Sequence, residues 1–183
     1  TDVGSNQYVG TIVYDPNVNK FLILYVDTVT SHGGVTNYRT VKVITVSGTS
    51  VSAGSANIGA GALGTGVGYQ GNEFMTFDPV SNKIIFFYFQ ENGYDLKFNS
   101  GTISGTSISF ASATTIDGSN IYRSQSWPGM AGTYTKDGQH AFFHRQSNNS
   151  NKIYFRNVLT GTNATNVTDR NVIGFANSAI SDG

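Results

Sequence analysis

Cysteine is absent from this chain of 183 residues, which excludes a disulfide framework and thiolate metal sites. Charge is scarce and balanced: eleven basic residues face eleven acidic ones, for a formal net charge of zero. No basic field addresses nucleic acid, and no acidic run marks a solvating tail. No apolar run approaches the ~18 residues of a membrane-spanning helix, so no membrane span is expected. Helical periodicity is missing too; residues 54–71 are rich in Gly and Ala, but repeated glycines interrupt any helix there. No signal-peptide pattern and no Met stands at Thr1, and TDVGSNQ reads as the end of an earlier element. A processed product or a piece of a longer polypeptide is therefore expected.

Aromatic residues, by contrast, make up 13% of the chain, ten Tyr and twelve Phe among them, and Ser, Thr and Asn are abundant. Such residues favour strands and turns. They fall into a repeat, which is the first thing to settle in any chain. YDPNVNKFLILYVD at 14–27 recurs as FDPVSNKIIFFYFQ at 77–90 and, degraded, at 134–147. The spacing from the aromatic to the first strand residue reads as equal in the three: Tyr14 to Phe21, Phe77 to Ile84, Tyr134 to Ala141.

Each unit predicts four strands. In the first these are 8–14, 21–27, 38–46 and 51–57, with the last turn at Ser47-Gly48-Thr49. In the second they are 73–77, 84–90, 94–103 and 108–114, with the turn at Ser104-Gly105-Thr106. In the third they are 130–135, 141–147, 152–159 and a weak 162–168. The second strand of each unit is apolar at consecutive positions (FLILY, IIFFYF, AFF), which a strand needs only when both its faces are buried. The third strand alternates, as Tyr94, Leu96 and Phe98 do with Asp95, Lys97 and Asn99. Small antiparallel sheets packed face to face about an axis meet this pattern. A sandwich would alternate in every strand. The expected fold is all-β, a β-propeller-like array of about three four-stranded antiparallel blades, part of a larger or oligomer-completed ring. The division is 1–7 as the end of a preceding repeat, 8–66, 67–121 and 122–168 as blades, and 169–183 as a C-terminal extension.

The pairing of YDP-x-x-NK with SGTS resembles the propeller-type repeats of large virion surface and tail-fibre proteins of marine bacteriophages, cyanophages among them. VIGFANSAISDG is similar to the segment that follows the last repeat in such proteins. The third unit departs, with Thr135-Lys136 for Asp-Pro and His140 for Lys. The resemblance implies a structural or receptor-binding role on a virion or outside a cell. Its partners would be other copies of the chain or other virion or fibre subunits. It carries over no catalytic residue.

The residues offer several chemistries. Asp15, Asp78 and Asp137 lie in equivalent turns; with Asn17, Asn19 or Asn82 they would suit Ca²⁺, but turn Asp and Asn more commonly bond their own backbone. Glu73, Glu91, Asp95 and Asp117 are the carboxylates open to a glycosidase mechanism, though no motif pairs them. Five arginines, Arg39, Arg123, Arg145, Arg156 and Arg170, are available to a sialidase-type site, and again none is selected. His140 and His144 would share one face of a strand about 13 Å apart, too far for one metal. The alignment puts His144 with Leu24 and Phe87, and Arg145 with Tyr25 and Tyr88. The stretch YRSQSWPGM holds the single Trp: Trp127 beside Tyr122, Arg123 and Gln125 would stack on a sugar while the polar groups bond its hydroxyls. Its bland alternative is a Trp buried between blades or beneath the ring. The loop at His32 is a second contact candidate. The expectation is a non-enzymatic module, extracellular or on a virion surface, without metal or cofactor, recognising a cell-surface glycan. The alternatives are a propeller-type glycoside hydrolase and a purely architectural filament or decoration subunit.

Overall fold

An aromatic residue, a turn rich in Asp and Asn, and an apolar run make a hairpin, and three such hairpins seed three antiparallel sheets. The structure, a computed structural model, describes residues 7–27, 38–58, 73–89, 95–117, 130–136, 138–146 and 152–159. Among these are thirteen strands and no helix. The first sheet contains β1 (Gln7–Asp15), β2 (Lys20–Asp27), β3 (Tyr38–Ser47), β4 (Ser50–Ala53) and β5 (Asn57–Ile58). The second contains β6 (Glu73–Asp78), β7 (Lys83–Phe89), β8 (Leu96–Ser104), β9 (Ser107–Phe110) and β10 (Thr114–Asp117). The third contains β11 (Met130–Tyr134), β12 (Gln139–Gln146) and β13 (Lys152–Leu159). Each is a meander in which consecutive strands pair, except that β5 pairs with β3 beside β4 and β10 with β8 beside β9.

The repeat extends to individual bonds. Asp15 accepts a bond from the Asn17 amide at 3.0 Å, and Asp78 one from the Val80 amide at 2.9 Å. Asn19 and Asn82 close these turns at φ of 52° and 55°, left-handed backbone that Asn tolerates. Lys20 then donates to the Thr45 hydroxyl at 2.6 Å, as Lys83 does to Thr102 at 2.9 Å.

The expected fourth strand is broken in both complete units, at the same place. β4 and β5 share one edge of β3, as β9 and β10 share one edge of β8. Between them the Gly54 amide still bonds Val43 O at 2.8 Å, and the Ala111 amide Ser100 O at 2.8 Å. The pairing sum then shifts by one residue, so a bulge of one residue is built into the repeat. The weak strand expected at 162–168 lies outside the described residues.

The third hairpin departs from its expected register. Tyr134 pairs with His140, not with Ala141, whereas Tyr14 pairs with Phe21 and Phe77 with Ile84. Its turn is one residue shorter, with Gly138 (φ 74°) doing what Asn19 and Asn82 do. Because side chains alternate, a slip of one residue moves every side chain of the strand to the other face. His140 therefore holds the position of Phe21 and Ile84. His144 falls at the register of Tyr25 and Tyr88, not of Leu24 and Phe87, and Arg145 moves on correspondingly.

The faces now match in all three sheets. The front carries Phe21, Ile23 and Tyr25, then Ile84, Phe86 and Tyr88, then His140 and Phe142. The back carries Leu22 and Leu24, then Ile85, Phe87 and Phe89, then Ala141 and Phe143. The back of the first sheet packs on the front of the second, joining Leu22, Leu24, Val41 and Val43 to Ile84 and Phe86. The back of the second packs on the front of the third, joining Ile85, Phe87 and Phe98 to Met130, Phe142 and Val158. The first strands adjoin in turn, β1 on β6 and β6 on β11. Close approach constrains glycine at two seams. A Cβ on Gly54 would meet Thr106 O at 2.0 Å, and one on Gly132 the Phe74 ring at 2.7 Å.

Burial of the second strand on both faces, expected three times, holds in full only for the middle sheet. There Ile84, Ile85, Phe86, Phe87, Tyr88 and Phe89 are all buried. The outer sheets each bury one face well: Leu22, Leu24 and Phe142 are buried, while Phe21 and Ile23 are half-buried and Phe143 is exposed. Phe87 touches the rings of Phe74, Phe98 and Phe142 at centroid distances of 4.8, 5.8 and 5.0 Å. Phe87→Ala is therefore expected to cost about 3–5 kcal/mol in urea unfolding. Phe143→Ala, at the same register on an open face, should cost about 0.5 kcal/mol or less. Equal costs would contradict this stacking.

Candidate functional site

The residues proposed for sugar contact, Tyr122, Arg123, Gln125, Trp127 and His32, lie outside the described residues. So do Glu91 and Asp137. Of the titratable groups that are described, Arg39, Glu73, Tyr88, Asp78 and His140 lie buried in the seams between sheets, and the geometry there decides what each can do.

Glu73, one of the candidate carboxylates, begins β6 on the front of the second sheet. Arg39 begins the buried part of β3 on the back of the first. Their side chains meet with Arg39 Nε 3.3 Å from Glu73 Oε2, both almost wholly buried. Arg39 Nη2 also donates to Phe89 O at 2.9 Å, and the guanidinium lies 5.3 Å from the Tyr88 ring centroid. A planar cation with several donors suits a site offering a carboxylate, a carbonyl and an aromatic face together. Glu73 Oε1 has no hydrogen-bond partner among the described residues. Burial pushes the Glu73 carboxyl above its ordinary value, with Arg39 pulling the other way. Burial likewise pushes the Tyr88 phenol up to about 12, against Arg39. Glu73 is thus an inter-sheet anchor, its carboxylate enclosed with Arg39.

Asp95 is half-exposed and lies 3.6 Å from Lys97. Asp78 is committed to its own turn, accepting bonds from the Val80 amide and, at 2.7 Å, the Ser81 hydroxyl. Asp15 does the same for Asn17. These turn carboxylates act in hairpin chemistry, and among the described residues no cluster of three His, Cys, Asp or Glu could hold a metal. The turns of the first two sheets are joined by a bond from Asn17 Nδ2 to Asn82 Oδ1 at 2.9 Å.

The second seam has its own polar pair. His140, fully buried on the front of the third sheet, places Nε2 3.9 Å from Asp78 Oδ2. Its ring packs 5.6 Å from Phe87 and edge-on to Tyr134 at 5.5 Å. Burial brings the imidazole down to about 4, with Asp78 opposing. The Tyr134 amide donates to Thr76 Oγ1 across the same seam at 3.1 Å.

Sequence reasoning weighed Arg39, Glu73 and His140 separately and did not join any of them to a partner. A signal was present. Arg39 stands where the second unit has Leu96, Glu73 where the third has Met130, and His140 where the others have Phe21 and Ile84. A polar residue at a position that is apolar in the other copies marks a contact peculiar to one seam.

Two tests follow from the seams. His140 is neutral in the fold, while the unfolded chain takes up a proton below about 6.5. Its contribution is present above that pH and is lost as pH falls toward 4, to roughly 3 kcal/mol. Glu73 runs in the opposite sense, contributing below its ordinary range and losing that contribution as pH rises through the elevated value. His140→Leu should therefore lose less stability between neutral pH and about pH 4.5 than the wild type; identical acid limbs would refute the assignment. Arg39→Met strands the Glu73 carboxylate and should cost about 3–5 kcal/mol, most of it recovered in Arg39→Met/Glu73→Leu.

No family model, curated protein or solved structure matches the chain.

Proposed function

We propose that the chain is a propeller-type repeat module of an extracellular or virion surface, with a display and recognition role rather than catalysis. The three sheets would be blades fanned about a common axis. The observation that carries this reading is the stacking order: β7 is covered on both faces, and β1, β6 and β11 adjoin in succession. First strands lining an axis with later strands radiating outward is how propeller blades are arranged. The resemblance of the YDP and SGTS units to marine phage fibre repeats supports the virion setting. A nearly neutral surface rich in Ser, Thr and Asn favours hydrogen bonding to a glycan over charge steering.

The glycosidase alternative loses support from Glu73, whose carboxylate is enclosed with Arg39. The architectural alternative draws support from the exposed apolar face of the first sheet. Recognition would fall to loops carried by the blades, with Trp127 supplying the stacking ring and Tyr122, Arg123 and Gln125 its flanks.

A glycan array and a cell-binding assay test this reading. Binding to a defined surface polysaccharide is expected, reduced roughly tenfold or more by Trp127→Ala at unchanged thermal stability. Turnover of a glycoside, or full binding by Trp127→Ala, would overturn the proposed role of that ring.

A further inference from the structure

The front of the first sheet is built like a seam and has no sheet against it among the described residues. Its register equivalents in the second sheet show what such a face is for. Ile12 opposes Ile23 as Met75 opposes Phe86, yet Met75 is 5% exposed and Ile12 61%. Val51 stands 57 positions before Ile108; Ile108 is 4% exposed within the first seam, Val51 47%. Val46 and Ile103 repeat the contrast, and Tyr14 takes the place of Phe77, which is packed against that seam. Each position keeps an apolar residue, yet each is far more exposed than its equivalent in the second sheet. Isolated exposed apolar residues need no explanation, but a contiguous set on one sheet face does.

The partner that such a face takes is known from the two seams present: each front receives a back. At the opposite end of the stack stands a back without a cover among the described residues. Phe143, at the register of the fully buried Leu24 and Phe87, is 43% exposed. Beside it on β11 are the small exposed residues Ala131 and Thr133. The cation of Lys42 lies 5.7 Å from the Tyr25 ring and covers that part of the front. The open patch is therefore the turn-side half, around Ile12, Tyr14, Ile23, Val46 and Val51.

We infer that the front of the first sheet binds the back of the third sheet of a second copy of this chain. The contact is head-to-tail and continues the stacking of the sheets within one chain. A heterologous contact of this kind closes into a ring or runs on as a filament, according to the rotation between copies. The inference rests on the repeat of the sheets and not on the recognition role, so glycan binding can fail without touching it.

Sedimentation velocity and native mass spectrometry on the full chain, into the high-micromolar range, test it with Ile12→Glu and Phe143→Glu. Both side chains are exposed, so circular dichroism and melting temperature should match the wild type; Val51→Glu serves if Ile12→Glu does not fold. The wild type should associate and each variant alone should be monomeric. An equimolar mixture of the two should give a dimer and nothing larger, because each variant keeps one competent face. A wild type that stays monomeric throughout overturns the inference. So does a Phe143→Glu variant that still dimerises, which would mean front-to-front pairing, or a mixture that remains monomeric.

Discussion

Burial of one strand from both sides governs this structure. In β7 six consecutive side chains are removed from water, three on each face. A strand in a sheet with one wet face cannot do this, since its side chains alternate between faces. Two further sheets must lie against it, and they must come from the flanking repeats. The stacking of three sheets is the way this apolar run satisfies the hydrophobic effect on both sides.

The seams share an apolar interior and differ in their polar contacts. Arg39, Glu73 and Phe89 O meet in the first; His140, Asp78 and the Thr76 hydroxyl lie in the second. Buried polar groups add little net stability, but an unmatched one is costly. Arg39 facing the front of the third sheet would find Met130 where Glu73 stands in the second. The polar groups thereby discriminate between neighbours that the apolar faces treat alike, and they account for a fixed order of sheets. Across the first seam, Asn57, just beyond the bulge of the first sheet, donates Nδ2 to Ile108 O at 2.6 Å.

Much of this was readable before any coordinates. Turn chemistry at Asp15 and Asn19, repeated at Asp78 and Asn82, located the hairpins, because Asp bonds its own backbone and Asn tolerates positive φ. Consecutive apolar residues after each turn led to the expectation of burial on both faces, which holds in full only for the middle sheet. The third hairpin was misread by one residue, since its run QHAFF carries no marker of phase and a shortened turn leaves no trace in composition. The fourth strands were read as continuous because a one-residue bulge looks like ordinary strand. The contact residues suggested around Trp127 and His32 fall outside the described residues, so their place in the fold adds nothing to that reading.

What the chain's residues determined by themselves was local and periodic: the hairpin strands, the turns and the repeat; that only the middle sheet is covered on both faces was not among them. These follow from side-chain alternation and backbone preference over a few neighbouring positions. Tertiary structure alone decided which face of each sheet meets which, that Arg39 finds Glu73 across 34 residues, and that, among the described residues, one front and one back have no sheet against them. Such outcomes depend on the relative placement of segments far apart in the chain, and a slip of a single residue in one turn is enough to reverse them.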